Sequence, residues 1–230
     1  MIDIHNHIIP NVDDGSISLD TSISLLQEAK KQGIDKIICT PHYRPHMFET
    51  PIEVIKKEFD NLNGLANEIG IDLYLGQEIK CKNCNDIIKF IENNDIILMN
   101  NKKILLLEFS YTNDPDINEV IYNARIKGYK VIIAHVERYS YVTLEDVISF
   151  KENGAYIQVN ADSVLGNNGL KVKKFIKKLI KNNLVDFVAS DMHFNRPICY
   201  LDSYNYVAKK FGDSTAKKLF IENADQLLIK

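Results

Sequence analysis

The chain has 230 residues, 45% hydrophobic and 26% charged, with a formal net charge of -3. That length can bury a full core, and the charge balance argues against a dedicated nucleic-acid binder. The first residues read as a strand rather than a basic, then apolar leader, and no apolar run approaches the ~20 residues needed to span a bilayer. A cytoplasmic protein without membrane insertion is therefore expected.

Strand and helix signals alternate along the chain. Ile2–His5 reads as a strand and Leu19–Gln32 as a helix, with Ile23, Leu26 and Ala29 on one face and Gly33 as its stop. Lys36–Thr40 is the second strand. Thr50-Pro51-Ile52-Glu53 offers a threonine cap, a first-turn proline and a glutamate three residues past the cap, opening a helix that runs to about Glu68. Asp72–Glu78 is the third strand and Asp86–Glu92 a helix. Lys103–Phe109 is the fourth strand, followed by a helix over Asp116–Lys127 that Gly128 closes. Lys130–His135 is the fifth, with a helix over Thr143–Glu152 ending at Gly154. Tyr156–Asn160 is the sixth, backed by a helix over Leu170–Asn182. Val185–Ser190 is the seventh, and Leu201–Phe211 and Ser214–Ile229 are terminal helices.

Seven βα units with near-continuous apolar strands predict a parallel sheet covered by helices. No linker divides the chain, so residues 1–230 are read as one α/β domain, a closed or nearly closed, distorted TIM-like (β/α)7 barrel. An open doubly wound sheet fits less well, because chemistry-bearing residues lie on six of the seven strands rather than at one crevice. Lys171–Lys181 is the densest basic stretch and reads as a solvated helix face. Cys81 and Cys84 form a lone C-x-x-C without a second pair, so reduced thiols are the simpler expectation.

The six histidines are not scattered. His5, His7, His42, His135 and His193 each fall at or just past the end of an apolar run, as do the carboxylates Glu78, Glu108 and Asp191. Residues at strand C-termini share the catalytic mouth of a barrel. With Asp14 of Asp13-Asp14-Gly15, which could instead make a turn, nine imidazole and carboxylate donors are available and no thiolate. That donor set suits Mn²⁺, Fe²⁺ or Zn²⁺ in a catalytic site. Nine donors exceed one metal's needs, so two or three ions sharing carboxylates are expected. His46 is read as either solvated or on a substrate rim, and no His-Glu-x-x-His helix is present.

Eight ordered segments carry a resemblance: Asp3-Ile4-His5-Asn6-His7, Val12-Asp13-Asp14-Gly15, Thr40-Pro41-His42, Met47-Phe48-Glu49-Thr50-Pro51, Gly76-Gln77-Glu78-Ile79, Leu107-Glu108-Phe109-Ser110, Ala134-His135-Val136-Glu137-Arg138-Tyr139 and Ala189-Ser190-Asp191-Met192-His193. Together they resemble the manganese-dependent protein-tyrosine phosphatases of bacterial capsule and exopolysaccharide operons, within the polymerase-and-histidinol-phosphatase superfamily, over nearly the whole chain. The resemblance implies a trinuclear site. One metal takes His5, His7, Glu78 and Asp191. A second shares Glu78 and adds Glu108 and His135, and a third uses Asp14, His42 and His193. Glu108 bears on the subfamily, since many other superfamily members are expected to carry histidine there. The chain departs from the pattern at Ala224, where proline is common, and in the loop Tyr43-Arg44-Pro45-His46.

Arginine is scarce: Arg44, Arg125, Arg138 and Arg196 stand against twenty-four lysines. Arg138 and Arg196 lie within three residues of a ligand motif, and guanidinium grips phosphate bidentately. They are the expected phosphate-binding pair, while Tyr139 and Tyr141 are expected to pack or to form a rim. None of the cysteines has the C-x5-R spacing of a thiolate phosphatase. The expected reaction is hydrolysis of phosphotyrosine on a protein, with a bacterial tyrosine kinase as the implied partner. The resemblance implies that a metal-bound hydroxide would attack phosphorus directly, without a phosphoenzyme. A histidinol-phosphate phosphatase of the same fold and a non-catalytic metal-stabilised scaffold are the rival readings.

Overall fold

The structure, a computed structural model, describes residues 1–82 and 84–229, with Cys84 described by its backbone. In chain order the elements are β1 (Ile2–Asp3), α1 (Leu19–Lys31), β2 (Lys36–Cys39), β3 (His42–Tyr43), α2 (Ile52–Ile69), β4 (Asp72–Leu75), β5 (Glu78–Lys80) and α3 (Cys84–Glu92). Next come β6 (Ile104–Glu108), α4 (Ile117–Ile126), β7 (Lys130–Ile133), α5 (Leu144–Glu152), β8 (Tyr156–Asn160), α6 (Ala161–Leu165) and α7 (Leu170–Lys181). β9 (Phe187–Ala189), α8 (Tyr200–Phe211), α9 (Asp213–Lys217) and α10 (Asn223–Leu228) complete the chain.

Every named strand pair is parallel. β1, β2 and β4 pair in that order, and β3, β5, β6, β7, β8 and β9 form a second run. The two runs belong to one curled sheet. β3 continues β2 past Pro41, which lacks an amide donor, and β5 continues β4 past Gly76-Gln77. The ring closes where the Asp191 N–H donates to the His5 carbonyl at 2.9 Å and the His7 N–H to the Met192 carbonyl at 3.0 Å. The result is the expected (β/α)7 barrel, with two of its strands bent.

Several local expectations change. Asp72–Glu78 is not one strand: a Cβ at Gly76 would lie 3.1 Å from Met99 Cγ and 3.3 Å from Ile38 Cγ2, and Gln77 turns aside to accept the Ile97 N–H at 2.9 Å. Thr50 does not cap α2. Its hydroxyl donates instead to the Val12 carbonyl at 2.7 Å, and Pro51 holds the cap position. The last helix is interrupted by a π turn over Lys218–Glu222. Cys81 is buried, and the Cys84 half of the C-x-x-C motif has a side chain outside the described residues.

Strand alternation builds two cores. Outward residues such as Leu105, Leu107, Val131, Ile133 and Val159 pack under the helices. Inward residues Ile2, Ile4, Ile104, Leu106, Ile132 and Phe187 fill the barrel floor, which Ala224 and Leu227 of α10 close from below. At about 1.5–3 kcal/mol per fully buried aliphatic side chain, this floor helps offset the cost of burying polar groups above it. Going up the barrel, the inward positions turn polar: Ile104 and Leu106 lead to Glu108, and Tyr156 leads to Gln158 and Asn160.

Candidate metal centre

The polar ends of these strands meet at the C-terminal mouth. His5 and His7 follow β1, His42 opens β3, Glu78 opens β5, Glu108 ends β6, His135 follows β7, and Asp191 and His193 follow β9. Asp14 reaches in from the loop after His7. All nine donors fall into overlapping groups whose ligand atoms lie within 4.8 Å of one another: His7, Asp14, His42 and His193; His5, Glu78 and His135; His5, His7 and Asp191; and His42, Glu78 and Glu108.

Glu78 is the hub. Its Oε2 lies 3.3 Å from His5 Nε2, 3.4 Å from His7 Nε2 and 2.9 Å from His42 Nδ1, and its Oε1 lies 2.9 Å from His135 Nε2. Asp191 Oδ1 sits 3.8 Å and 3.6 Å from the same His5 and His7 nitrogens. Asp14 Oδ1 is 3.5 Å from His42 Nε2 and 3.7 Å from His193 Nε2. Glu108 groups with His42 and Glu78 rather than with His135, its carboxylate drawn to the Tyr111 hydroxyl and, at 3.2 Å, to Lys80 Nζ. Glu78 Oε2 and Glu108 Oε2 are buried with no aligned hydrogen bond, although His42 Nδ1 and Lys80 Nζ lie 2.9 Å and 3.2 Å away. Buried oxygens left this way normally have an unshown partner, and a nitrogen and oxygen donor set fits divalent transition ions.

Two of the candidate ligands are held in left-handed backbone, His135 at φ 31° and Asp191 at φ 50°. L-residues adopt that region at a cost, so the strand ends are bent to aim these side chains. The loop carrying Asp14 is pressed onto His7: a Cβ at Gly15 would fall 2.1 Å from the His7 carbonyl oxygen.

A second set of residues fixes the imidazoles, and the sequence did not single them out. Asp13 Oδ2 lies 2.7 Å from His7 Nδ1 and accepts the His42 N–H at 2.9 Å. Gln158 Oε1 lies 3.0 Å from His5 Nδ1 and accepts the His135 N–H at 2.8 Å. The Asp191 carbonyl lies 2.9 Å from His193 Nδ1. The contacts to His5, His7 and His193 place Nδ1 against an oxygen and leave Nε2 to face the cluster, while Asp13 and Gln158 also tie down the backbone amides of His42 and His135. Asn160 donates to Asp191 Oδ2 at 2.9 Å. Gln158 and Asn160 carry a sequence signal, being polar at alternate positions of an apolar strand. Asp13 carries only its adjacency to Asp14.

Charge is concentrated here. Burial lowers the His5 pKa, but Glu78 and Asp191 outweigh it and raise the value to about 9. His7 is likewise held well above its ordinary value, Asp13 and Glu78 overcoming burial. For Asp14, the hydrogen bond to His193 leads the causes that lower it to about 2.

Arg138 and Arg196 stand at the mouth, their Nη1 atoms 3.2 Å and 3.3 Å from the same Asp191 Oδ2. The Arg138 guanidinium also lies over the Tyr111 ring, 4.7 Å from its centroid. Tyr139 packs, donating its hydroxyl to the Ala134 carbonyl at 2.8 Å, and Tyr141 donates to the Ser110 carbonyl at 3.0 Å. His46 is exposed, whereas Phe48 stacks on His42 at 5.5 Å. Burial pushes the Cys39 thiol far up, away from a nucleophilic thiolate.

The model of the family "Capsular polysaccharide synthesis, CpsB/CapC" matches residues 1–229. The chain is 35% identical to the tyrosine-protein phosphatase CpsB of Streptococcus agalactiae, over 99% of its own length and 98% of that relative's. It is 32% identical to the tyrosine-protein phosphatase YwqE of Bacillus subtilis, over 99% and 91%. A solved structure from work on YwqE of Bacillus subtilis and CpsB of Streptococcus pneumoniae, described as metal-dependent tyrosine phosphatases, superposes with a TM-score of 0.91 at 31% identity, covering 99% of this chain and 94% of that one. With the fold, the donor cluster and these matches in agreement over nearly its whole length, the chain belongs to the CpsB/CapC capsular polysaccharide synthesis family.

Proposed function

We propose that this chain is a metal-dependent protein-tyrosine phosphatase that removes phosphate from a bacterial tyrosine kinase in the cytoplasm. The observation that carries the reading is the buried carboxylate of Glu78, with four imidazoles within 3.4 Å of its oxygens and two arginines meeting at neighbouring Asp191. Among the described residues, no helix is long and apolar enough to cross a membrane.

His5, His7, Asp14, His42, Glu78, Glu108, His135, Asp191 and His193 would hold two or three divalent ions; the family resemblance favours Mn²⁺, and Fe²⁺ or Zn²⁺ could take the same donors. Such ions supply an activated water and Lewis-acid stabilisation of a phosphoryl group. The rest falls to the chain's own residues. Arg138 and Arg196 bind phosphoryl oxygens and orient the group, the Tyr111 ring supporting the Arg138 plane. Gln158 and Asp13 keep His5 and His7 in the tautomer that presents Nε2. Asp191 holds both guanidiniums in place before substrate arrives, which lowers the cost of organising charge at the reacting group.

The test is kcat/KM on a phosphotyrosyl peptide beside kcat/KM on histidinol phosphate, with the same metal-loaded preparation. Preference for the peptide is expected. A preference for histidinol phosphate would assign the site to a small-molecule phosphatase.

A further inference from the structure

A groove of about 690 Å³ opens beside the metal mouth and shares Arg138 and Tyr111 with it. Tyr141, Val172 and Phe175 give it an apolar lining, and Lys171 of α7 forms part of its wall. Glu137 is the one acidic residue in that lining, and one of its carboxylate oxygens accepts the buried Asn160 N–H at 2.9 Å. The wall therefore shows little negative charge to an incoming chain.

α7 carries six lysines, and none of them makes an ion pair among the described residues. Lys173 and Lys177 turn toward Tyr206, at 4.7 Å and 5.8 Å from its ring. Lys171, Lys174 and Lys178 are exposed, and their spacing of three and four residues puts them on one stripe beside the groove. At 1.5 Å per residue that stripe runs about 10 Å, the reach of roughly three residues of extended chain. An unneutralised cationic stripe next to an apolar groove, continuous with a phosphate-binding mouth, is complementary to one kind of occupant.

We propose that this surface docks the extended, acidic segment flanking the phosphotyrosine on one side, with an apolar side chain in the groove and carboxylates along Lys171, Lys174 and Lys178. The inference rests on the phosphotyrosine reading and specifies its substrate class. Three exposed charge pairs, each of ordinary surface strength, compound to roughly tenfold.

The test uses the full chain, metal-loaded, and three phosphotyrosyl peptides. One carries three glutamates and a leucine on the N-terminal side of the phosphotyrosine, one carries them on the C-terminal side, and one carries glutamines in their place. At an ionic strength of about 0.01 M, one of the two acidic peptides is expected to exceed the glutamine peptide about tenfold in kcat/KM. The advantage should shrink at about 0.15 M, where screening is strong. It should vanish in the triple variant Lys171→Glu, Lys174→Glu, Lys178→Glu, and shrink in the Lys→Gln triple, which removes charge without adding repulsion. Cleavage of all three peptides at equal rates overturns the inference and leaves the phosphatase reading standing. An equal advantage for both acidic peptides also overturns it, since the groove lies on one side of the mouth. Cleavage of none overturns the phosphatase reading and the inference with it. Binding to phosphatidylserine vesicles that is lost in the Lys→Glu triple, with no peptide preference, would assign the stripe to a membrane surface and overturn the proposal.

Discussion

Asp13→Asn is expected to weaken metal binding although Asp13 belongs to none of the ligand groups. The Asp13 side chain is fully buried and faces three donors: His7 Nδ1–H at 2.7 Å and the His42 N–H at 2.9 Å on Oδ2, and the Gly15 N–H at 2.9 Å on Oδ1. An asparagine offers one acceptor oxygen and an NH₂ group. If its oxygen keeps the two histidine contacts, the NH₂ is forced against the Gly15 N–H. If it keeps Gly15, the NH₂ faces His7 and His42. Either orientation buries a donor against a donor, at about 1–3 kcal/mol. The substitution also removes the negative charge behind the His7 ring, and losing a partner that orients a metal-bound imidazole typically costs about 10–100-fold in metal affinity. Titration of the metal-free variant with Mn²⁺, followed by calorimetry, reads the affinity, and a thermal melt reads the stability. A variant that binds metal within twofold of the parent and melts at the same temperature would refute the orienting role.

Arg138→Ala should leave metal content unchanged and lower kcat/KM for phosphotyrosyl peptide by roughly 10²-fold, with Arg138→Lys recovering only part, as read by metal analysis and steady-state kinetics on one preparation. Gly15→Ala should displace His7 and cut both metal content and activity, because the added Cβ would lie 2.3 Å from the His7 Cβ; full metal occupancy in that variant contradicts the packing argument. Serine at all four cysteines should leave the metal-loaded chemical step intact, measured as kcat at saturating peptide. In the metal-free protein, the charged His5 ring contributes stability fully below its unfolded pKa of about 6.5, and that contribution fades as pH rises toward about 9, so the metal-free melting temperature should fall across that window. Metal loading near neutral pH should accordingly release protons, detectable as a buffer-dependent heat of binding.

The barrel was readable because its strands are short apolar runs, each followed by a helical segment, and six of the seven runs lead into a residue with chemistry. His5, His42, Glu78, Glu108 and His135 could be placed at one mouth on that ground alone. The bends were harder to see. Gly76 reads as part of an apolar strand, and only its tight packing against Met99 and Ile38 shows why β4 stops there. Thr50 had the composition of a cap, but tertiary contact with Val12 took its hydroxyl. The supporting layer was partly legible: Gln158 and Asn160 break the apolar run of their strand on inward positions. Asp13 could not be told from Asp14, because which of two adjacent carboxylates turns inward depends on how the loop folds back over His7.

The most direct test of the account follows activity and metal together. Protein purified anaerobically is assayed for metal stoichiometry and for phosphate release from a phosphotyrosyl peptide, then again after exhaustive chelation, and again after Mn²⁺ or Mg²⁺ is returned. Activity should disappear with the metal and return with Mn²⁺ more fully than with Mg²⁺, since imidazole donors favour the transition ion. Glu78→Gln should lose metal and activity in the same proportion. Full hydrolysis of the peptide by the chelated, metal-free protein would contradict the account.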